Sequence, residues 1–395
     1  MQTVLERPIL RLNPGQGRRL RSGSPWVFSN EIAMKPEYRQ IPSGTLVRIE
    51  GNDGVRFGTF MFNPHSLIAA RQLDRDPTAE IDVAWVRQRL MSALELRQRF
   101  CDTPFYRMVH AEADRLPGLV IDRYEDVAVL QANTAGMDRL TPLIVAALTD
   151  LLPLRAIVVR NDSAARRQEG LADEVSLLVG SDAHATVREG GVKFAVDPLG
   201  GQKTGWFFDQ RPNRDRVSRL AEGARVLDVF CHVGAFGLRC AAAGAREVTL
   251  VDSSAAALAQ AEQAAIDNGL ADRLSVRRGD GFDAMSALSG ETFDIVICDP
   301  PAFARSRKDA EAGLRAYGRM ARLAGSLVAP GGYLFVASCS HHAPLETWSA
   351  QIVWGLHRAR REGRILFTGG AGPDHPVHPH LPETAYLKTQ LIQLL

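Results

Sequence analysis

Apolar residues along this chain change their spacing three times, and each change predicts a different kind of structure. Over the first 72 residues they fall in short runs. Pro25-Trp26-Val27-Phe28, Leu46-Val47-Arg48-Ile49 and Phe57-Gly58-Thr59-Phe60 are the clearest, the last two separated by Asn52-Asp53-Gly54. Short strands joined by glycine-containing turns predict a small β-barrel. Over 81–100 the period becomes helical. Val83, Val86, Leu90 and Leu94 line one face, and Glu95 stands four residues before Arg99, so an amphipathic connecting helix is expected. Next, 118–122 and 127–131 read as a strand pair, 138–151 as a helix, and 156–160 and 175–179 as further strands. From about 191 onward, strand runs at 225–230, 247–252, 273–278, 293–299, 332–338 and 386–393 alternate with helical stretches. Such alternation predicts an α/β domain with a doubly wound parallel sheet. The expected division is 1–72, 73–190 and 191–395.

Composition narrows this picture only a little. A length of 395 residues suits two or three domains, each able to bury a core. The net charge of +2 does not announce a nucleic-acid binder, although a local basic footprint would serve. The five cysteines, Cys101, Cys231, Cys240, Cys298 and Cys339, are scattered and show no CxxC spacing. That pattern argues against a disulfide framework or a zinc knuckle and for a reducing, cytoplasmic setting. No signal-peptide core and no membrane-length apolar run is present, so no membrane partner is expected. His341, His342, His375, His378 and His380 match no standard zinc spacing, and no metal is expected.

Chemistry gathers at the ends of the predicted strands. Asp228 lies near the end of the first strand of the α/β domain, before the tight turn Phe230-Cys231-His232-Val233-Gly234-Ala235-Phe236. Gly234 there allows a ligand close to the backbone. The turn is not GxGxxG, which disfavours a dinucleotide and hence a nicotinamide dehydrogenase. Asp252-Ser253 closes the next strand, and an acid there suits ribose hydroxyls. Asp280-Gly281-Phe282 follows the third, placed to hold an adenine amine and cover its ring. Three acids at three successive strand ends describe a site for S-adenosylmethionine. The structural alternative is that these acids only cap the following helices.

The chain resembles the RlmI-like cytosine-5 methyltransferases of bacterial large-subunit rRNA over essentially its full length. The resemblance is carried by Pro25-Trp26-Val27-Phe28, by 116–124 and by Gly201-Gln202-Lys203-Thr204-Gly205 leading to Asp209-Gln210-Arg211. It continues through the turn at 228–236, Asp299-Pro300-Pro301-Ala302-Phe303 and Ser338-Cys339-Ser340. The stretch from Lys203 to Arg211 is the most specific. The resemblance implies an N-terminal PUA domain, a small middle α+β domain and a C-terminal Rossmann-like class I methyltransferase. It also implies S-adenosylmethionine as donor and 23S rRNA as substrate, with Gln210 and Arg211 beside the cofactor.

Cytosine C5 is a poor nucleophile. A thiolate adding at C6 turns the ring into an enamine that attacks a sulfonium methyl. Cys339 follows one apolar run and Asp299 another, so a thiol and an acid sit at neighbouring strand ends. Cys339 is the expected nucleophile, and Asp299 the expected partner of N3 and a neighbour of the cofactor. Alone, such a cysteine more often serves as core. Cys298 is read as core because it should face away from Asp299. No cysteine follows Pro301, so the base that removes the C5 proton is not identified. Pro300, Pro301 and Phe303 are expected to hold the base, by flipping it out and stacking on it.

Asp-Pro-Pro also occurs in enzymes that methylate exocyclic amines or guanine N7 without a thiol, although here Ala302 intervenes before Phe303. That chemistry is the main alternative, and a non-catalytic RNA-binding assembly factor is a second. Arg18 and Arg19 near the start, Arg305-Ser306-Arg307-Lys308 after Phe303, and a cluster at 358–364 are candidates for phosphate contacts. Lys308 gains weight from its place near the expected mouth. The oligomeric state stays open, a homodimer being one reading.

Overall fold

The computed structural model describes residues 7–201 and 204–395, so Lys203, which opens the most specific stretch, and Gln202 before it lie outside the described residues. Contacts divide the chain into two compact units. Among the described residues, the first runs through Ala185 and also takes Val196–Phe208 and Pro373–Thr384. The second takes Thr186–Ala195, Asp209–Gly372 and Ala385–Leu395.

The first unit contains two sheets. Ile9–Arg11, Thr45–Glu50, Arg56–Phe62, Ala70–Asp74 and Trp26–Val27 form a five-stranded sheet in that spatial order. It closes on Leu10, Val47, Ile49, Phe60, Phe62 and Ala70, all nearly inaccessible. The helix Val83–Phe100 begins where Asp82 accepts a hydrogen bond from the Trp85 amide. Its Val86, Leu90, Ala93 and Leu94 share one core with Met61 and Leu73 of the first sheet and with the second sheet. That second sheet runs Glu174–Val179, Ala156–Asn161, Val127–Ala132, Leu119–Tyr124, Phe105–His110. The strand Phe105–His110 escapes the sequence pattern because its register shifts between Arg107 and Val109, which breaks the alternation. The helix Ala135–Leu151 starts three residues before its apolar period does. Its first turn holds Gly136, where a Cβ would come within 2.2 Å of the Met61 sulfur, so close packing rather than a large side chain marks the start.

The second unit is built on a seven-stranded sheet. Its order is Leu274–Arg278, Glu247–Asp252, Arg225–Val229, Phe293–Cys298, Val328–Ser338, Lys388–Leu394, Gly363–Gly369. The first five strands are parallel, and Lys388–Leu394 runs antiparallel to both of its neighbours. Successive residues feed opposite cores: Leu227, Val296 and Cys298 enter one, while Val226, Ile295 and Ile297 enter the other. Burial on both faces is what a doubly wound sheet requires, and it explains why the strands read as continuous apolar runs. Gly363–Gly369 gives no such signal because it is an edge strand and mostly exposed. Among the described residues, no helix is long and apolar enough to cross a membrane.

Candidate functional site

Strand order in the second unit reverses between Arg225–Val229 and Phe293–Cys298, which are hydrogen-bonded neighbours. Chain connections leave a crevice at the carboxyl ends of strands at such a point. Asp228 stands beside it, 1% exposed. One carboxylate oxygen accepts the Gly237 amide at 2.9 Å. The other has no hydrogen-bond partner among the described residues. Burial, with the charges of Asp299 and Asp252 adding to it, pushes this carboxyl up to about 8. A buried acceptor left open costs free energy, and a ligand bearing an ammonium group relieves it.

The turn after Asp228 is tightly fixed. Asp252 accepts the His232 amide with one oxygen and the Ser254 amide with the other, both at 2.8 Å. Phe230 and His232 adopt left-handed backbone at φ 64° and 52°. Gly234 does so at 72°, where a Cβ would come within 2.7 Å of the Leu250 side chain. Helix Ala235–Ala242 follows directly, with the Phe236 ring buried against Phe335 at 5.1 Å. Asp280 caps the helix Gly281–Ala287 by accepting from the amides of Phe282 and Asp283 through one oxygen, Oδ1. The cap of the helix after Asp252 is Ser254 rather than Ser253. Capping and ligand binding are thus compatible at Asp280. The Phe230 ring lies over Gly281, where a Cβ would meet it at 2.5 Å. Phe230, Phe282 and Phe303 form a cluster with ring centres 5.7 to 6.2 Å apart.

Asp299 is half-buried and accepts from the Gln210 side-chain amide at 2.8 Å. Gln210 is itself oriented by Asn213, whose amide donates to the Gln210 oxygen at 2.7 Å and to the Gly370 carbonyl at 3.1 Å. Arg211 lies 3.7 Å from Glu189. Glu189 also pairs with Arg214 at 2.6 Å and with Arg239 at 3.0 Å. Burial alone would raise this carboxyl, but Arg214, Arg211 and Arg239 hold it down at about 2. The cluster anchors the helix that begins at Arg211.

Cys339 follows the last residue of Val328–Ser338 and is half-buried, whereas Cys231, Cys240 and Cys298 are buried. Burial pushes those three thiols far up. The residues on either side of Cys339 are pinned by one tyrosine. Tyr317 hydroxyl accepts from Ser338 Oγ at 2.8 Å and lies 2.9 Å from Ser340 Oγ. Ser340 Oγ in turn accepts the Ala304 amide at 3.1 Å. That last bond ties the loop after Asp299-Pro300-Pro301 to the loop that carries Cys339. Phe303 packs on Tyr317 at 4.8 Å between ring centres, while Pro300 is buried and Pro301 exposed. Lys308 is exposed, as are Arg305 and Arg307. Arg18 and Arg19 belong to the first unit, exposed on the short helix Arg18–Ser22, with Arg19 over the Phe28 ring at 4.7 Å.

Sequence reasoning missed Asn213, Tyr317, Ser338, Ser340 and Lys388. The serines flank Cys339 in sequence and were the one available signal; the others lie far from their partners along the chain.

Comparison with known proteins adds to the geometry. A PUA-like domain model matches residues 10–75, and an S-adenosylmethionine-dependent methyltransferase model matches residues 160–348. The chain is 34% identical to "Ribosomal RNA large subunit methyltransferase I" of Shewanella denitrificans, covering 96% of this chain and 97% of that one. It is 35% identical to "Ribosomal RNA large subunit methyltransferase" of Deinococcus radiodurans, with 98% of both chains covered. Among solved structures, SMU.776 in complex with SAH superposes with a TM-score of 0.83 at 20% identity, over 98% of this chain and 100% of that one. That likeness speaks for the fold.

Proposed function

Because the chain belongs to the S-adenosylmethionine-dependent large-subunit ribosomal RNA methyltransferases, we propose that it methylates C5 of a cytosine in 23S rRNA through a thiolate adduct of Cys339. The observation that carries this reading is the Ala304–Ser340 hydrogen bond. It joins the Asp299 loop to the loop of a half-buried thiol, while Cys231, Cys240 and Cys298 are buried. An enzyme methylating an exocyclic amine needs no thiol at that place.

S-adenosylmethionine supplies, when bound, a methyl group on a positively charged sulfur. Asp228 would offer its open oxygen to the amino group, Asp252 and Ser253 would meet the ribose, and Asp280 with Gly281 and Phe282 would hold the adenine end. The strained turn from Phe230 through Gly234 to Phe236 forms the floor, with Gln210 and Arg211 beside it. Cys339 sulfur forms a bond to C6 of the base. That addition would leave an electron pair on C5, where the bound donor would supply its methyl group. Asp299, its far side held by Gln210, faces N3 and favours the adduct. A base then takes the C5 proton, the C6–sulfur bond breaks, and the Cys339 thiolate is restored. Pro300, Pro301 and Phe303 shape the base pocket. Lys308, Arg18 and Arg19 meet phosphates without reading sequence. The barrel at 1–72, the middle domain at 73–190 and the catalytic domain at 191–395 divide these tasks in a cytoplasmic enzyme.

Nucleoside mass spectrometry of 23S rRNA incubated with the enzyme and labelled S-adenosylmethionine tests the reading. Label in 5-methylcytidine is expected, as is a covalent complex with 5-azacytidine RNA that Cys339→Ala cannot form. Label in a methylated guanine or adenine, at an undiminished rate in Cys339→Ala, overturns it in favour of an N-methyltransferase.

A further inference from the structure

Lys388 opens the strand Lys388–Leu394, where it pairs in register with Ser338, the residue before Cys339. Its ammonium donates to the Ser340 carbonyl at 2.8 Å and to the Tyr386 carbonyl at 3.3 Å. An ammonium carries three donors, so one remains. Among the described residues, Lys388 makes no ion pair with a carboxylate, although it is half-buried. A sheltered cation held only by carbonyls is costly, and the cost falls when an anion stands beside it. The thiol between Ser338 and Ser340 is the acidic group in that place. Burial lowers the proton affinity of Lys388, and Cys339 acts in the opposite direction, which puts the two groups within electrostatic reach.

We infer that Lys388 is the positioning residue that holds Cys339 as a thiolate, its ammonium standing beside the sulfur and steadying the charge left when the thiol proton departs to water. The step balances: the sulfur–hydrogen bond breaks, its electron pair stays on sulfur, and the proton passes to a water molecule. Lys388 touches no reacting atom and acts through Cys339. The inference rests on Cys339 being the nucleophile, but thiol ionisation is measurable without any RNA.

The test is the alkylation rate of Cys339 by iodoacetamide across pH 5 to 10, resolved by peptide mass spectrometry so that Cys101 is counted separately. In the unaltered protein the rate is expected to titrate about one to two pH units below the ordinary thiol value of roughly 8.5. Lys388→Met should return it to the ordinary range or above and slow alkylation at pH 7 by roughly ten- to a hundredfold. Lys388→Arg, which keeps the charge, should restore most of the reactivity, and S-adenosylhomocysteine affinity should stay within about twofold in both. Ordinary titration of Cys339 in the unaltered protein overturns the inference without any variant. So does an unchanged profile in a Lys388→Met protein that still binds S-adenosylhomocysteine. A low thiol pKa that depends on Lys388, found in an enzyme whose product is not 5-methylcytidine, would keep this inference and remove the cytosine reading.

Discussion

The two ends of the candidate site are finished to different degrees. At the Cys339 end the flanking polar groups satisfy one another: Tyr317 serves Ser338 and Ser340, and Ser340 serves Ala304. At the Asp228 end a buried carboxylate oxygen has no partner among the described residues, the carboxyl is pushed up to about 8, and two non-glycine residues sit in left-handed backbone. On the proposed reading, groups that hold a fixed geometry toward an RNA base are assembled in advance, and groups that grip a cationic ligand are left at an energetic disadvantage that the ligand removes. Loss of a residue at the first end should therefore damage chemistry and spare cofactor binding. Loss at the second should weaken cofactor binding and can even stabilise the protein without it.

The largest expected effect separates the two ends most sharply. Cys339→Ala should lower methyl transfer by about a thousandfold or more, because no other group there supplies a nucleophile. S-adenosylhomocysteine affinity, read by calorimetry, should move by less than about twofold. A large loss of affinity would mean that the ends are not independent.

Asp228→Asn should act in the opposite sense. Losing a charge-assisted hydrogen bond weakens S-adenosylhomocysteine binding by roughly ten- to a hundredfold. In the unliganded fold the raised carboxyl binds its proton more tightly than the unfolded chain, whose value is near 3.8. Stability of the unliganded protein therefore falls as pH rises from about 4 toward 8 through this group. Asp228→Asn should remove that loss and raise the melting temperature at pH 8 by on the order of several degrees. The same ionisation sets the pH dependence of binding. A ligand ammonium needs the carboxylate, so affinity should rise about tenfold per pH unit below 8 and level off above it. Calorimetry at pH 6, 7 and 9 checks this, and a flat profile would remove Asp228 from the amino-group site.

How much of this comparison is readable from the chain follows the range of the interactions. Asp228, Asp252, Asp280 and Asp299 each follow an apolar strand run, so a local pattern exposes them, and so it does Cys339. The same holds for the sheet, because strands buried on both faces print continuous runs, whereas exposed Gly363–Gly369 prints none. What stays hidden is who orients whom. Tyr317 lies 23 residues from Ser340, and Asn213 meets Thr389 across 176 residues of chain. Neither residue stands in a pattern of its own. Only the register of Lys388–Leu394 on Val328–Ser338 brings Lys388 to Cys339.

A smaller effect tests whether the Cys339 end is rigid by design. Tyr317→Phe leaves the ring packing against Phe303 and Trp348 and removes only the hydroxyl. Two buried serine hydroxyls then lose a partner, at a cost of about 1–3 kcal/mol in stability. Methyl transfer should fall by roughly tenfold through misplacement of Cys339, with cofactor affinity unchanged. Denaturant unfolding together with single-turnover kinetics checks both halves, and unimpaired turnover in a destabilised protein would make the network merely structural.

The smallest effect concerns the joint between the two ends. Asn213 donates to the Gln210 oxygen, and this fixes the Gln210 amide nitrogen toward Asp299. Asn213→Ala leaves Gln210 free to turn its oxygen toward the carboxylate, an arrangement that two acceptors disfavour. Asp299 then loses a donor that steadies its charged form, and it should meet the base with a less fixed position and a higher proton affinity. Methyl transfer at saturating cofactor should drop by about three- to tenfold, and because Asp299 serves N3 with its proton, the alkaline limb of its pH profile should move upward. Asn213 also bonds the Gly370 carbonyl, so a stability loss of about 1 kcal/mol comes with it and does not discriminate. The shift of the alkaline limb does, because loosened packing would lower the rate equally at every pH. A profile scaled down without displacement would place Asn213 in the scaffold and give it no part in orienting Asp299.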